Sequence, residues 1–315
     1  MLQKILSLLI IGILSINQAY AQNERWFEVE VYLFERGHGH NQELSPEKVT
    51  IPNTKKAVDL ISPLYSTDIT GASLGLKGCS SNDWAINADM CDQQLESTKV
   101  SHSVEIPVNI ASATKQYGRP NGPPILLSSE QNQFNDIIRK LSREPGNKSL
   151  LHMTWQQSML PRHKAKPVRL YSGQDFSDRF EMNGQTIQAH QSELAIPEFN
   201  FLTASYPANT HKPVWKIDGM INIYLNHFLY VETTLHLREE GKKDLDISQN
   251  NINGIIEEHS KTVPFLYAFP LAQNRRVRSD EIHYFDHPKM GMILQIRKME
   301  QPINRTNKTT VNVLN

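Results

Sequence analysis

The chain has 315 residues with 33 basic and 33 acidic side chains. A balance this even implies neither nucleic acid nor an anionic membrane surface as partner. Residues 1–21 hold one charge, Lys4, so 32 basic and 33 acidic groups remain beyond them, on a length that can bury a full core as one large domain or two small ones.

Met1 to Ala21 reads as a secretory signal peptide: Lys4, an apolar run from Ile5 to Ile16, then Ala19-Tyr20-Ala21 as the cleavage site. The run is short for a transmembrane span, and no later segment approaches the roughly 20 apolar residues that one needs. The expectation is an exported, soluble chain cut after Ala21, the alternative being an uncleaved anchor. No cysteine follows the cleavage site, so nothing suggests a lipoprotein.

Trp26 to Phe34 alternates, with Phe27, Val29, Val31 and Leu33 on one face and Glu28 and Glu30 on the other, the pattern of a strand. Residues 35–127 then weaken into Pro, Gly, Asn and Ser clusters, apart from a short helical pattern near Lys55 to Ile61, and read as a long insertion. It carries Cys79 and Cys91, twelve positions apart. In an exported chain this pair is expected to form a disulfide, closing a loop worth about 3 kcal/mol in the entropic model. Gly118 to Pro124 ends the insertion as a stiff connector.

Ser128 with Gln131 makes a capping box ahead of Phe134, Ile137, Ile138 and Leu141 at helical spacing, which predicts a helix from Ser129 to about Arg143. Pro145-Gly146-Asn147 stops it and Leu150 to Trp155 reads as a strand. Strand, helix, strand is half of a ferredoxin-like unit, in which the helix covers one sheet face. The basic stretch from Arg162 to Arg169 reads as a solvated loop in preference to an anion site. Strand-like pieces follow near Val168 to Tyr171 and Phe180 to Gln188.

Val214 to Arg238 pairs with itself as a long hairpin. A loop of Leu225, Asn226 and His227 sets Ile223 opposite Leu229, Ile221 opposite Val231, Gly219 opposite Thr233, Ile217 opposite Leu235 and Trp215 opposite Leu237 on one apolar face. The other face carries Tyr224 with Phe228, Asn222 with Tyr230, Met220 with Glu232, Asp218 with Thr234, and Lys216 with His236. Val263 to Leu271, Arg275 to Phe285 and Met292 to Arg297 complete the strands, the last two joined by a turn-rich stretch from Asp286 to Gly291. The predicted fold is α+β, mostly antiparallel sheet, over 22–298, with a β-rich half at 158–298 and a disordered tail at 299–315.

Motifs for catalysis are broken or misplaced. Gly71-Ala72-Ser73-Leu74-Gly75 fits the nucleophile-elbow pattern but lacks a strand before it and a helix after it. Ser45-Pro46-Glu47-Lys48, Ser248-Gln249-Asn250 and Lys261-Thr262-Val263 follow the order of the penicillin-reactive serine motifs. There the third has Val263 for glycine, and Ser45 before Pro46 reads as a helix start. His283 and His287, flanked by Glu281 and Asp286, and His38 with His40 offer metal ligands without the H-E-x-x-H order or a third spaced ligand, so a hydrogen-bonded turn is the reading for the cluster. No catalytic residue, metal or other cofactor is expected.

The opening block from Arg25 to Arg36 (RWFEVEVYLFER), the hairpin from Gly219 to Glu239, and above all Arg275 to Ile296 (RRVRSDEIHYFDHPKMGMILQI) resemble the CsiV family of exported, peptidoglycan-binding proteins of gamma-proteobacteria. The resemblance implies a non-catalytic periplasmic factor that binds peptidoglycan and supports a class A penicillin-binding protein through that enzyme's outer-membrane lipoprotein activator. Arginine forks suit stem-peptide carboxylates and aromatic faces suit sugar rings. The expected binding residues are therefore Asn222, Tyr224, Phe228 and Tyr230 on the hairpin's polar face, with Arg275, Arg276, Arg278, Glu281, His283, Asp286 and His287 in the C-terminal block. A serine- or metal-dependent cell-wall hydrolase or acyltransferase, and an adaptor that touches only proteins, are the alternatives.

Overall fold

A computed structural model describes residues 24–37, 46, 49–65, 85–87, 90–91, 105–187, 212–250 and 256–302. The expected signal peptide, His38 and His40, Ser45, Ser73, Cys79 and the tail from 303 lie outside the described residues, so the Cys79–Cys91 pairing stays an expectation. Among the described residues the elements are β1 (Arg25–Glu35), α1 (Ser62–Tyr65), β2 (Glu105–Ile106), β3 (Asn109–Ile110), β4 (Ile125–Leu126), α2 (Asn135–Leu141), β5 (Lys148–Met159), β6 (Val168–Asp175), β7 (Trp215–Leu225), β8 (Leu229–Asn250), β9 (Ile256–Val277), β10 (Ile282–Asp286) and β11 (Met290–Lys298). No helix among them is long and apolar enough to cross a membrane.

The strands form two sheets. One runs β10-β11-β1-β5, with β3 and β4 sharing the outer edge of β5; the other runs β2-β6-β7-β8-β9, antiparallel throughout. Alternation decides which side chains meet between them. Val29, Val31 and Leu33 of β1, Met153 and Trp155 of β5, and Leu294 and Ile296 of β11 join Ile217, Ile221, Val231, Leu235 and Leu271 of the second sheet in one core. Parts of the 35–127 stretch enter it as well, through Ile61, Ile106, Ile110 and Leu126.

The outer face of the first sheet buries Tyr32, Phe34 and Ile293 beneath Phe134, Ile137, Ile138 and Leu141 of the helical segment. The predicted helix is broken here: Ser129–Gln131 is a 3-10 turn, Asn132 is extended, and α2 begins at Asn135. The cause is Glu30, whose carboxylate accepts the backbone N–H of Gln133 (2.9 Å) and of Phe134 (2.9 Å) from the middle of β1. His152 Nε2 lies 2.9 Å from the same carboxylate and Arg297 Nη1 also donates to it. Burial pushes the Glu30 pKa up, and these four hydrogen bonds outweigh it, so the carboxyl sits below its ordinary value. A ferredoxin-like half would set the strands flanking its helix parallel. Instead β1 and β5 pair antiparallel from Arg25 opposite Met159 to Glu35 opposite Lys148. Between them the chain crosses to the second sheet, where β2 pairs with β6, and returns to lie along β5 as β3 and β4.

The hairpin forms with the predicted faces but a register shifted by two. Leu225 is opposite Leu229, Ile223 opposite Val231, Ile221 opposite Thr233 and Ile217 opposite Leu237, around a loop of Asn226, His227 and Phe228. A two-residue slip leaves every side chain on its face, which is why the apolar pattern could not exclude it. Leu225 N–H donates to Leu160 O (3.0 Å), a contact from outside the hairpin that holds this end of β7. β8 pairs with β9 in one continuous ladder from Leu229 opposite Val277 to Asn250 opposite Ile256, so the predicted piece from Val263 extends to Val277, and the predicted Arg275 to Phe285 strand is split by a turn between the end of β9 and β10 in the other sheet. Of the predicted Phe180 to Gln188 strand, the described residues 180–187 form a turn with a single bridge between Phe180 and Thr186, and Gln188 lies outside the described residues.

Half of the hairpin's outer face is buried. Residues 49–62 run over it, with Val58 bridged to Val168 and Thr50 Oγ1 2.8 Å from His236 Nε2. Beneath them Asp218, His236 and Arg238 are each 2% exposed or less. Arg169 reaches Asp218 at 3.4 Å, so the basic loop ends in an ion pair that only tertiary structure supplies. Arg238 Nη1 donates to Trp215 O at 2.7 Å. Burial raises the pKa of Asp218 against the pull of Arg238 and Arg169. Burial, then the charge of Arg238, pushes the His236 imidazole down to about 4.

Candidate functional site

Toward its tip the hairpin brings part of the predicted set together, although Tyr224 itself is buried, 5% exposed, with the Arg162 guanidinium 5.7 Å over its ring. Tyr224 and Tyr230 are directly opposite and stack with ring centroids 5.3 Å apart at 11°. Glu232, on the same face, accepts from Asn222 Nδ2 (3.4 Å), Tyr224 OH (3.3 Å) and Asn274 Nδ2 (3.0 Å) and pairs with Arg162 Nη2 (2.7 Å). This carboxylate, which was not among the expected binding residues, fixes both the amide and the phenol. Phe228 is 53% exposed at the tip, and the Arg276 guanidinium lies 4.6 Å over its ring. Arg276 is opposite Tyr230 in the β8–β9 ladder and has no carboxylate partner among the described residues.

The remaining predicted residues divide by role. Arg275 Nη1 donates to Tyr284 O (2.8 Å) and its guanidinium lies 5.2 Å from the Phe285 ring, while Gln273 Nε2 donates to Asp286 O (2.8 Å). Side chains of β9 thereby occupy carbonyls along β10, closing an edge that would otherwise invite another strand. Arg278, Glu281 and His283 hold the corner at which the chain passes between sheets: Arg278 N–H lies 3.1 Å from His283 Nε2, and the Arg278 and Glu281 side chains lie 3.5 Å apart. His287 Nδ1 accepts Lys289 N–H (3.2 Å) in the β10–β11 turn. These are geometries of a braced corner and a tight turn, and no group of three or more metal-ligating side chains occurs among the described residues.

Asp286 belongs to a third feature. Its Oδ1 pairs with Arg36 Nη1 (2.9 Å) and accepts from Tyr284 OH (3.0 Å), at the mouth of a cleft of about 420 Å³. Phe34 and Ile293 form the floor, Leu141, Glu144, Pro145 and Asn147 one wall, and Ile282 and Tyr284 the other. Ile282 is 53% and Tyr284 42% exposed. Tyr284 stacks on Phe34 at 6.4 Å and 18°. Both rings converge over Gly291, where an added Cβ would meet Phe34 at 2.4 Å and Tyr284 OH at 2.8 Å. Burial and the hydrogen bond to Asp286 raise the Tyr284 pKa, so the phenol stays a donor. Tyr284, Arg36, Glu144 and Asn147 escaped sequence reasoning. The available signal was Ile282 and Tyr284, two apolar side chains on the solvent side of a strand whose buried residue is Phe285.

Two sheets packed around one core make this a protein of β-sandwich architecture, with exposed Phe228 at the hairpin tip and an open cleft at one edge. A family model described as "Peptidoglycan-binding protein, CsiV" matches residues 4–299, nearly the whole chain, and the protein belongs to that family. Comparison with curated proteins and with solved structures yields no match.

Proposed function

We propose that this protein is a non-catalytic periplasmic accessory factor of cell-wall assembly. It binds peptidoglycan through the hairpin tip and the edge cleft, and supports a class A penicillin-binding protein through that enzyme's outer-membrane lipoprotein activator. The family description supports the ligand, and the sequence resemblance supports the enzyme and its activator. The observation that carries the site is Arg276, a cation without a carboxylate partner among the described residues, laid over exposed Phe228 beside the Tyr224–Tyr230 stack. Such a fork presents donors to the carboxylates of stem peptides, and rings flanking it exclude water from the contact.

Sedimentation with purified sacculi tests the reading. Arg276→Glu should lower the bound fraction, with the larger loss at low salt, where attraction is least screened. Tyr230→Ala should lower it without that salt dependence. Undiminished binding by both variants, with the fold intact, would remove the hairpin tip from the site. Capture of the activator lipoprotein by wild type in the absence of sacculi, with no sedimentation, would leave a protein-binding adaptor instead.

A further inference from the structure

The two exposed features differ in charge, and peptidoglycan has two chemistries to match. At the hairpin tip, Glu232 is paired with Arg162 and Arg276 is left over, a surface suited to a carboxylate. In the cleft the sign is reversed. Arg36 is already neutralised by Asp286 at 2.9 Å, and the remaining ionic group on the lining is Glu144. A stem-peptide carboxylate entering there meets a like charge and no free cation, which costs binding free energy at this short range. A neutral ring does not.

The rest of the lining suits such a ring. Tyr284 offers an exposed aromatic face, held in orientation by its stack on Phe34 and its hydrogen bond to Asp286. Leu141, Pro145 and Ile282 supply apolar contacts for an acetyl methyl group. Planar polar groups stand at the opposite wall, where Asn147 Nδ2 donates to Glu144 Oε2 (3.0 Å) and to Leu141 O (3.3 Å). This leaves the amide oxygen and the second carboxylate oxygen to accept from hydroxyls. The wall is braced by backbone: Gly37 and Gly146 abut so closely that a Cβ on Gly37 would meet Gly146 Cα at 2.5 Å, and Gly146 has φ +86°. The volume of about 420 Å³ falls in the range of small-molecule sites, roughly 300–1,000 Å³. A preformed cleft loses little entropy on binding.

We infer that the cleft between the end of α2 and β10 is the glycan subsite, taking a neutral N-acetylhexosamine ring on Tyr284, while the hairpin tip takes stem-peptide carboxylate. The inference rests on the peptidoglycan-binding reading above and specifies which part of the polymer each surface meets.

The test uses the full mature chain and three probes: intact sacculi, glycan strands stripped of stem peptides by an amidase and then amidated at their exposed lactyl carboxyls so that they are neutral, and released stem peptides. Wild type should bind the stripped glycan. Tyr284→Ala should weaken that binding at least tenfold and leave stem-peptide binding unchanged, and Arg276→Glu should do the converse. Glu144→Arg, on an exposed position at the end of the helical segment, serves as a second variant should Tyr284→Ala lose its fold, and should weaken glycan binding to a similar degree. The inference falls if wild type sediments with sacculi but ignores stripped glycan, or if both cleft variants bind stripped glycan as wild type does. It falls equally if the cleft variants lose stem-peptide binding instead, which would place an ammonium-bearing peptide on Glu144. Failure of wild type to sediment with intact sacculi would overturn the peptidoglycan reading itself.

Discussion

His236 should make this protein acid-sensitive in a window where few other groups act. It is 2% exposed, opposite Asp218 in the ladder, with Nε2 2.8 Å from Thr50 Oγ1 and Nδ1 without a hydrogen-bond partner among the described residues. Burial first, and then the neighbouring Arg238 charge, depress its pKa from 6.5 to about 4. A depressed pKa means that the unfolded chain takes up a proton which the folded one refuses. The stability contribution is therefore complete above pH 6.5 and is lost as pH falls toward the folded value. The whole shift corresponds to about 3 kcal/mol, of which about 2 kcal/mol is lost between pH 7 and pH 5. His236→Gln removes the titration and keeps an amide for Thr50. Urea unfolding of both proteins at pH 7 and pH 5 reads the difference, and contributions from other carboxyls cancel between them. Wild type should lose about 2 kcal/mol more than the variant across that interval. Equal losses would mean that His236 is hydrated or paired in solution and that the strap of residues 49–62 does not seal it.

Further outcomes follow from the core and the helix cap. Ile221→Asp should prevent folding, since a charge between the sheets costs several kcal/mol or must be neutralised; soluble protein with unchanged melting would refute its placement in the core. Gly219 has φ +155° and a Cβ there would meet Thr234 O at 2.0 Å, so Gly219→Ala should cost on the order of 2–4 kcal/mol, measurable by denaturant midpoint. Glu30 has a lowered pKa and so stabilises above its unfolded value of 4.5 and loses that contribution as pH falls through the folded one. Glu30→Gln should flatten this acid limb and, by removing one of the two carboxylates on Arg297 while Glu28 remains, cost about 1–3 kcal/mol at neutral pH in the same titration. Cys79 and Cys91 should both resist alkylation in unreduced protein, and labelling of either would end the disulfide expectation.

The proposed binding surface was legible in part. The hairpin and the C-terminal block were marked by aromatic and arginine content, and the β8–β9 ladder does bring Arg276 beside Tyr230. Within the block, local sequence could not separate the arginine proposed to bind from one that braces. Arg275 and Arg276 are adjacent, yet alternation sends one to the carbonyl of Tyr284 and the other over Phe228. The cleft was invisible because its walls come from three distant segments, with Arg36 joined to Asp286 across 250 positions.

The sequence by itself determined the long strands β1, β5 and β7 and the apolar face of each, because the alternation of Val29, Val31 and Leu33 or of Ile217, Ile221 and Ile223 leaves one burial-compatible choice, whereas the short strands β2, β3 and β4 carry too few residues to show a period. Tertiary structure decided the rest. The hairpin register settled two residues from the expected one because slips by two preserve faces, so the difference lies in contacts such as Leu225 with Leu160 that come from outside it. The predicted helix is interrupted because Glu30, a hundred positions earlier in the chain, captures the amides of Gln133 and Phe134. The polar face of the hairpin is half buried because residues 49–62 close over Asp218, His236 and Arg238. In each case the deciding energy is a pairing between groups far apart in the chain, which local pattern cannot register.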